Sequence, residues 1–219
     1  MISVITPTYR DWPALQRALT SLEAQSYDDF QHVVVADGPD PELREQMHML
    51  GYAAHGRRMF IELGRNWHRF CGGDQQPQDP SMPGARGGRG SRGVSPALAG
   101  TYLAAGDWIG YLDQDCEYGE HHLKLLSEAA AGGIDFVFSR MRRYIDGFVL
   151  DDVGDGAPGY GRIDGNVVLH RPELLRTANW RRGGDADWDL IGRWVDAGAT
   201  WAYVPEVTVH WHHAGWDMG

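Results

Sequence analysis

The chain has 219 residues, of which 42% are hydrophobic and 23% charged, so a single domain with a sizeable core is expected and a disordered chain is excluded. Thirty acidic against 20 basic residues give a net charge of −10, which disfavours binding to a nucleic acid. No apolar run approaches the roughly 18 residues that a membrane-spanning helix needs, so no membrane span is predicted. Only Cys71 and Cys116 are present, and no basic leader precedes the first strand. A reduced, cytoplasmic location is the simplest prediction.

The first forty residues carry a strand–helix–strand pattern. Residues 2–6 form a short apolar run that is typical of a strand buried on both faces. Asp11 and Pro13 then mark a helix start, and an apolar stripe at helical spacing follows. Val33–Val35 predicts a second buried strand. Because the connections are short, the pattern predicts a right-handed crossover and an α/β fold with a mostly parallel central sheet flanked by helices.

The same signals predict the later elements. Ser95 and Pro96 supply a cap and a first-turn proline for a second helix, and residues 108–112 form a third strong strand. The remaining predicted elements are helices over 122–131 and 185–197 and strands over 135–144, 166–169 and 201–211. Two glycine-rich stretches without periodicity, 71–93 and 146–165, are predicted to be long loops, the first of them mobile.

Two carboxylates directly follow the third strand, in the sequence Asp113-Gln114-Asp115. Open α/β sheets bind their ligands at the carboxyl ends of their strands. Two aspartates one residue apart offer hard oxygen ligands that suit Mg²⁺ or Mn²⁺ bridging phosphates. A capped, solvated turn before the next helix is the alternative, and the residue types alone do not decide between the two.

Polar residues also follow the first two strands. Asp37 could accept an N–H from uracil, thymine or guanine, and an ordinary turn aspartate before Gly38 is the alternative. Thr8-Tyr9-Arg10 contains no glycine, so its backbone cannot wrap a phosphate as a glycine-rich phosphate loop does. Tyr9 could stack on a base and Arg10 could contact a phosphate, or both could simply cover the helix start.

Two further groups lie in the last third of the chain. The acidic run Asp185–Asp189 opens a predicted helix, where the helix dipole stabilises carboxylates. Capping explains any one of them, although a carboxylate beside an acceptor would also serve as a general base. His210, His212 and His213 end the last predicted strand. His210 and His212 share a face because side chains alternate along a strand, and one could complete a metal shell or simply be solvated.

Taken in order, these segments resemble the GT-A family 2 glycosyltransferases. The similarity covers nearly the whole chain, through residues 3–9, 33–38, 106–115, 165–171, 187–190 with Arg193, 202–207 and a closing histidine. The resemblance implies one GT-A (Rossmann-like) domain over residues 1–219. Residues 1–115, including the mobile loop 71–93, would bind the nucleotide sugar, and residues 116–219 would bind the acceptor.

The resemblance also implies an activity, namely that of an inverting, metal-dependent glycosyltransferase of the hexosyltransferase type. Its donor would be a nucleotide-diphosphate sugar, with a UDP-sugar favoured and GDP or dTDP possible, and its cofactor would be Mg²⁺ or Mn²⁺. A hydroxyl of a small-molecule, saccharide or lipid-linked acceptor would receive the sugar. Neither a nucleic-acid partner nor a membrane span is implied.

Site residues follow from the resemblance position by position. Asp187 matches the catalytic base. Asp113 and Asp115 match the metal motif, with Asp115 favoured as the direct ligand, and His210 or His212 matches a late metal-binding histidine. The residues implied to bind the nucleotide sugar are Pro7, Thr8, Tyr9, Arg10, Asp37, Arg92, Asp113 and Gln114.

Three positions depart from the family's pattern. Ala36 replaces the first of two acids after the second strand, and Ala186 replaces the glutamate before the base. Leu98 stands where an arginine often anchors the donor. Its substitute would come from the preceding loop arginines, Arg86, Arg89 or Arg92.

Two other functions stay open. One is a sugar-phosphate nucleotidyltransferase, which would usually need a glycine-rich phosphate loop and well-placed lysines. The chain has no glycine in Thr8-Tyr9-Arg10, and its single lysine, Lys124, lies elsewhere. The other is a non-catalytic nucleotide-sugar-binding protein, in which the three departures would mark the decay of an active site.

Overall fold

The computed structural model describes residues 1–66, 93–181 and 185–213. In the first half of the chain, strands and helices alternate. The elements are β1 (Ile2–Thr8), α1 (Trp12–Glu23), β2 (Phe30–Ala36), α2 (Pro41–Met49), β3 (Arg58–Glu62), α3 (Val94–Thr101) and β4 (Trp108–Tyr111). The predicted strand–helix–strand start is thereby confirmed, with β1 and β2 buried along almost their whole length.

The second half contains more strand than the sequence predicts. Its elements are β5 (Cys116–Tyr118), α4 (His122–Ala129), β6 (Phe136–Ile145), β7 (Phe148–Val153), a 3₁₀ turn (Gly165–Val167), β8 (Val168–His170), α5 (Leu174–Thr177), α6 (Ala186–Asp196) and β9 (Trp201–His213). The prediction of a loop over 146–165 is wrong for its first part, because β6 and β7 form a hairpin. Asp146 and Gly147 turn the hairpin with positive φ angles of 51° and 82°, as two-residue hairpin loops require.

Side-chain caps fix the starts of α1 and α2. The side chains of Asp11 and Asp40 accept hydrogen bonds from the backbone of Ala14 at 3.0 Å and Leu43 at 3.1 Å. The predicted cap at Ser95 is wrong, since α3 begins two residues earlier than predicted, at Val94, and Gly93 is its left-handed N-cap, with φ 82°. No helix within the described residues is both long and apolar enough to cross a lipid bilayer.

The sheet has the strand order β3-β2-β1-β4-β8-β6-β9-β5, with β7 beside β6. The pairs β2–β3, β1–β2, β1–β4 and β6–β9 are parallel, whereas β4–β8, β6–β8, β6–β7 and β5–β9 are antiparallel. The predicted mostly parallel sheet is therefore wrong, and the sheet is mixed. Neighbouring parallel strands need a crossover connection, usually a helix, whereas β7 returns through a hairpin, which makes its pairing antiparallel.

Helix α3 packs unusually close to β1. A Cβ placed on Gly100 would lie 2.4 Å from Cγ2 of Ile5, which is buried in the core. A Cβ on Gly64 would meet no atom within 4 Å. The absence of a side chain at Gly100 therefore sets the distance between helix and sheet.

Gly100→Ala is expected to lower the free energy of unfolding by roughly 1–3 kcal/mol, because overpacking outweighs the better helix propensity of alanine. The matched variant Gly64→Ala should change it by less than about 0.5 kcal/mol. Urea unfolding followed by circular dichroism measures both. Equal stabilities of the two variants would contradict this packing.

His32 connects β1, β2 and the chain after α2 in the core. Its Nε2 lies 2.8 Å from the Thr6 hydroxyl and its Nδ1 lies 2.6 Å from the Tyr52 hydroxyl. The residue is 1% exposed, and burial, followed by the charge of Arg58, lowers the pKa of His32 to about 3. The imidazole is therefore neutral in the folded protein over most of the acid range.

His32→Gln is expected to reduce the dependence of stability on pH. The unfolded chain binds a proton at His32 near pH 6.5, while the folded chain does so only near the lowered pKa of about 3. Stability from neutral His32 is thus complete above pH 6.5 and lost as the pH falls towards 3. Between pH 7.5 and 5, the difference in unfolding free energy between wild type and variant should shrink by about 2 kcal/mol. Urea titrations at both pH values test this, and a constant difference would contradict it.

Candidate active site

A small pocket lies at the carboxyl ends of β1 and β2. It has a volume of about 10 Å³, and its lining includes Thr8, Tyr9, Arg10 and Asp37. Asp37 is 5% exposed, and its backbone N–H donates to the carbonyl of Thr8 at 2.9 Å. The structure thus brings together four of the residues that the resemblance assigned to nucleotide binding.

Two features shape the edge of this pocket. Gly38 has a φ of 111°, and a Cβ there would lie 2.8 Å from the backbone nitrogen of Asn66, so the close approach requires glycine. The Asn66 side chain donates to the carbonyl of Asp37 at 3.0 Å. At the mouth, Tyr9 is 42% exposed and the guanidinium of Arg10 lies 5.3 Å from its ring centroid. An aromatic face and a cation therefore stand beside the buried carboxylate.

Gln114 ties this pocket to the acidic motif after β4. The hydroxyl of Thr8 and the backbone N–H of Tyr9 both donate to Gln114 Oε1 at 2.7 Å. Gln114 Nε2 donates to the carbonyl of Tyr9 at 3.3 Å. The Gln114 side chain, predicted to bind the nucleotide, thus has its polar atoms engaged by Thr8 and Tyr9 and links the acidic motif to the small pocket.

A larger cavity of about 200 Å³ lies next to the acidic motif. Its walls include Pro7, Tyr111, Asp113, Gly165, Trp180 and Asp187. Burial, followed by the charges of Asp115 and Asp164, raises the pKa of Asp113 to about 7. Burial also raises the pKa of Asp187 well above its usual range; the charges of Asp164 and Asp113 add to this shift, and the Gly165 backbone amide opposes it. Asp113 and Asp187, predicted as metal ligand and base, therefore line one cavity, and the charge of Asp113 contributes to the raised pKa of Asp187.

Asn166 bridges two carboxylates beside this cavity. Its Oδ1 accepts from the backbone N–H of Asp113 at 2.6 Å. Its Nδ2 donates to Asp113 Oδ2 at 3.1 Å and to Asp164 Oδ1 at 2.7 Å. Asp164 and Asn166 are functional candidates that the sequence analysis missed. A signal for Asn166 was present in the sequence, because residues 165–171 are one of the segments that resemble the family 2 glycosyltransferases.

Asp115 is held by the last strand. Its Oδ2 accepts from the indole N–H of Trp211 at 3.1 Å, and its carbonyl accepts from the backbone N–H of His212 at 2.9 Å. The pairing of Cys116 with Trp211 places this end of β9 directly beside the acidic motif.

The side-chain contacts of His210 and His212 lie elsewhere. His212 Nε2 lies 3.2 Å from Glu117 Oε1, and its ring stacks on Tyr144 with centroids 4.9 Å apart. His210 Nδ1 lies 3.3 Å from the Tyr144 hydroxyl. Because side chains alternate along β9, Trp211, which contacts Asp115, projects to the opposite face from the two histidines.

The expected metal shell of two aspartates and one of these histidines is therefore not preformed. Within the described residues, no three His, Cys, Asp or Glu side chains are grouped so that they could hold a metal ion. The donor chemistry nevertheless fits Mg²⁺ or Mn²⁺, because Asp113 and Asp115 offer carboxylate oxygens. Their mutual repulsion, which contributes to the raised pKa of Asp113, would be relieved by a cation.

Part of the predicted site lies outside the described residues. This concerns Arg92, the alternative arginines Arg86 and Arg89, and the predicted mobile loop apart from Gly93. Gly93 itself lines the larger cavity.

Residues 3–70 match the family described as Glycosyl transferase family 2. The predicted resemblance to the family 2 glycosyltransferases is confirmed over this segment, which is about a third of the chain. The match covers β1 to β3 and includes Thr8 and Asp37 of the small pocket. Among curated proteins, no sequence matches this chain significantly.

Solved structures share the fold. S. aureus TarS 1-349 in complex with UDP has a TM-score of 0.66 at 17% identity, over 97% of this chain and 60% of that one. The same protein in complex with UDP-GlcNAc gives 0.65 at 15% identity, over 99% and 59%. The Pyrobaculum calidifontis mannosyltransferase PcManGT, in complex with GDP-Man and Mn²⁺, gives 0.63 at 14%, over 100% and 58%. The GT-A fold is thus confirmed with a mixed sheet, and the chain spans about three fifths of the length of these solved chains.

Proposed function

We propose that the protein transfers a sugar from a nucleoside-diphosphate sugar to a hydroxyl acceptor, with inversion at the anomeric carbon and with Mg²⁺ or Mn²⁺ as cofactor. One observation carries the proposal. Asp37, the acidic motif and Asp187 lie along one rim of the sheet, where Gln114 ties the motif to the small pocket and Asp113 shares a cavity with Asp187. Such a rim is where open α/β sheets bind nucleotides.

The donor class is supported by the ligands of similar structures. TarS was solved with UDP and UDP-GlcNAc, and PcManGT with GDP-Man and Mn²⁺. Asp37 would accept an N–H of the base, and Tyr9 and Arg10 would cover the nucleoside. We favour a UDP-sugar over GDP or dTDP sugars. Residues 1–115 then form the donor-binding half and residues 116–219 the acceptor-binding half, with a cytoplasmic location as part of the proposal.

The described residues suggest how transfer proceeds. Asp113 and Asp115 would hold the metal ion, which when bound supplies positive charge against the growing charge of the diphosphate. Asp187 accepts the proton of the acceptor hydroxyl, whose oxygen then forms a bond to the anomeric carbon. The bond from that carbon to the diphosphate breaks on the opposite side, and the nucleoside diphosphate leaves.

A donor-by-acceptor screen read by mass spectrometry tests the proposal, with Mn²⁺ and with chelator. We expect metal-dependent release of nucleoside diphosphate together with a glycosylated small-molecule, saccharide or lipid-linked acceptor. Formation of a nucleotide sugar from a sugar phosphate and a nucleoside triphosphate would instead identify a nucleotidyltransferase. Tight binding of nucleotide sugars without any release would identify a non-catalytic binding protein.

A further inference from the structure

The Asn166 side chain has all of its hydrogen-bonding groups engaged inside the carboxylate cluster. A carboxamide offers one oxygen acceptor and two N–H donors. The oxygen accepts from the backbone of Asp113, and the two N–H groups reach Asp113 Oδ2 and Asp164 Oδ1. A backbone N–H can only donate, which fixes the oxygen and nitrogen ends of the amide. The residue is 3% exposed, so water cannot replace these bonds without rearrangement.

The turn that carries Asn166 also contacts the proposed base. Asp164 caps the 3₁₀ turn by accepting from the backbone N–H of Asn166 at 2.9 Å. Between them, Gly165 lies against Asp187, since a Cβ on Gly165 would be 3.0 Å from Asp187 Oδ1. The turn is therefore fixed to Asp113 on one side and packed against Asp187 on the other.

No other short side chain reproduces this bridge. Aspartate lacks the N–H donors, and serine has only one donor. Without the amide, Asp113 would lose two hydrogen bonds in a cluster where Asp115 and Asp164 repel its charge. Its carboxylate would then no longer be held in one orientation.

We propose that Asn166 is a positioning residue that orients Asp113 for metal-dependent binding of the donor diphosphate and keeps it in a fixed relation to Asp187. This inference rests on the proposed function. Hydrogen-bond partners of metal-binding side chains commonly change metal affinity or activity by about 10–100-fold when they are removed.

The test compares Asn166→Ala with a matched variant, Gln31→Ala. Gln31 is also a buried amide, 5% exposed, which accepts from the Ser3 hydroxyl at 2.7 Å and the Ala105 backbone at 2.9 Å. It lies near the opposite ends of the strands. Both variants remove a buried, fully bonded amide, so both should lower the melting temperature, and only Asn166→Ala should affect diphosphate binding.

Calorimetric titration with UDP and with GDP, each with and without Mn²⁺, provides the readout. For Asn166→Ala we expect about 10–100-fold weaker binding in Mn²⁺ and little change without it. Gln31→Ala should stay close to wild type in both. If Asn166→Ala does not fold, Asn166→Ser takes its place. Its nucleotide affinity in Mn²⁺ should lie between that of the wild type and the roughly 10–100-fold weaker value expected for Asn166→Ala.

Failure of the positioning role and failure of the proposed function give different results in this experiment. In the first case, the wild-type protein binds UDP or GDP in an Mn²⁺-dependent way while Asn166→Ala binds the same nucleotide equally well in Mn²⁺. That result would overturn the positioning role alone. A wild type that binds neither nucleotide under any condition would overturn the proposed function, and the inference with it.

Discussion

Asp187→Asn is expected to slow sugar transfer by about 10²–10⁴-fold while leaving nucleotide binding nearly unchanged. Asparagine matches aspartate in shape and can still accept from the Gly165 amide, but it cannot take a proton from the acceptor. The variant therefore isolates proton transfer from the geometry of the cavity. Burial already raises the pKa of Asp187, which makes its carboxylate a stronger base than an exposed one.

Single-turnover assays and nucleotide titrations measure the two effects separately. Asp196→Asn is the matched control, because it makes the same chemical change at an exposed position at the end of the same helix. It should keep wild-type turnover. Transfer by Asp187→Asn within tenfold of wild type would show that another group accepts the proton.

Asp115→Ala is the second variant with a large expected effect. We expect loss of transfer by about 10³-fold, because a direct metal ligand supports several kcal/mol of charge stabilisation on the leaving diphosphate. Mn²⁺-dependent nucleotide binding should weaken with it. The wild-type carboxylate is held by Trp211, so its removal deletes an oriented donor group.

Glu117→Gln is the control for Asp115→Ala. Glu117 also carries a carboxylate on the edge next to β9, but its partners are His212 and Arg17. Its removal should leave Mn²⁺-dependent binding intact. If Asp115→Ala bound nucleotide with undiminished dependence on Mn²⁺ while Glu117→Gln lost it, the cation would sit beside the histidines instead.

Local patterns predicted most elements of the fold. The apolar runs of β1 and β2 and the cap at Asp11 depend on neighbouring residues only, and they fold as expected. The direction of a strand depends on its pairing with distant segments. Spacing along the chain therefore did not predict that β5, β7 and β8 pair antiparallel with their neighbours. The hairpin over 146–147 was predictable from its Asp-Gly turn, but few apolar residues of β7 face the core, so periodicity gave little signal.

Part of the site was also predictable. Asp37 and Asp113 follow strands and Asp187 lies in the first turn of α6, and the structure places Asp113 and Asp187 in one cavity. The bridge made by Asn166 depends on the tertiary position of a turn, which sequence spacing does not encode. Similarly, alternation predicted that His210 and His212 share a face, but not that Trp211 occupies the face towards Asp115.

A crystal structure of the protein with Mn²⁺ and UDP or GDP, with anomalous scattering to locate the manganese, tests the central arrangement most directly. The proposed arrangement predicts that the nucleobase contacts Asp37 and that an anomalous peak lies between the diphosphate and Asp115. Asp113 should lie beside this peak, and Asp187 should face the open side of the cavity. A nucleotide bound away from this rim, or manganese bound at His210 and His212 without the aspartates, would contradict it.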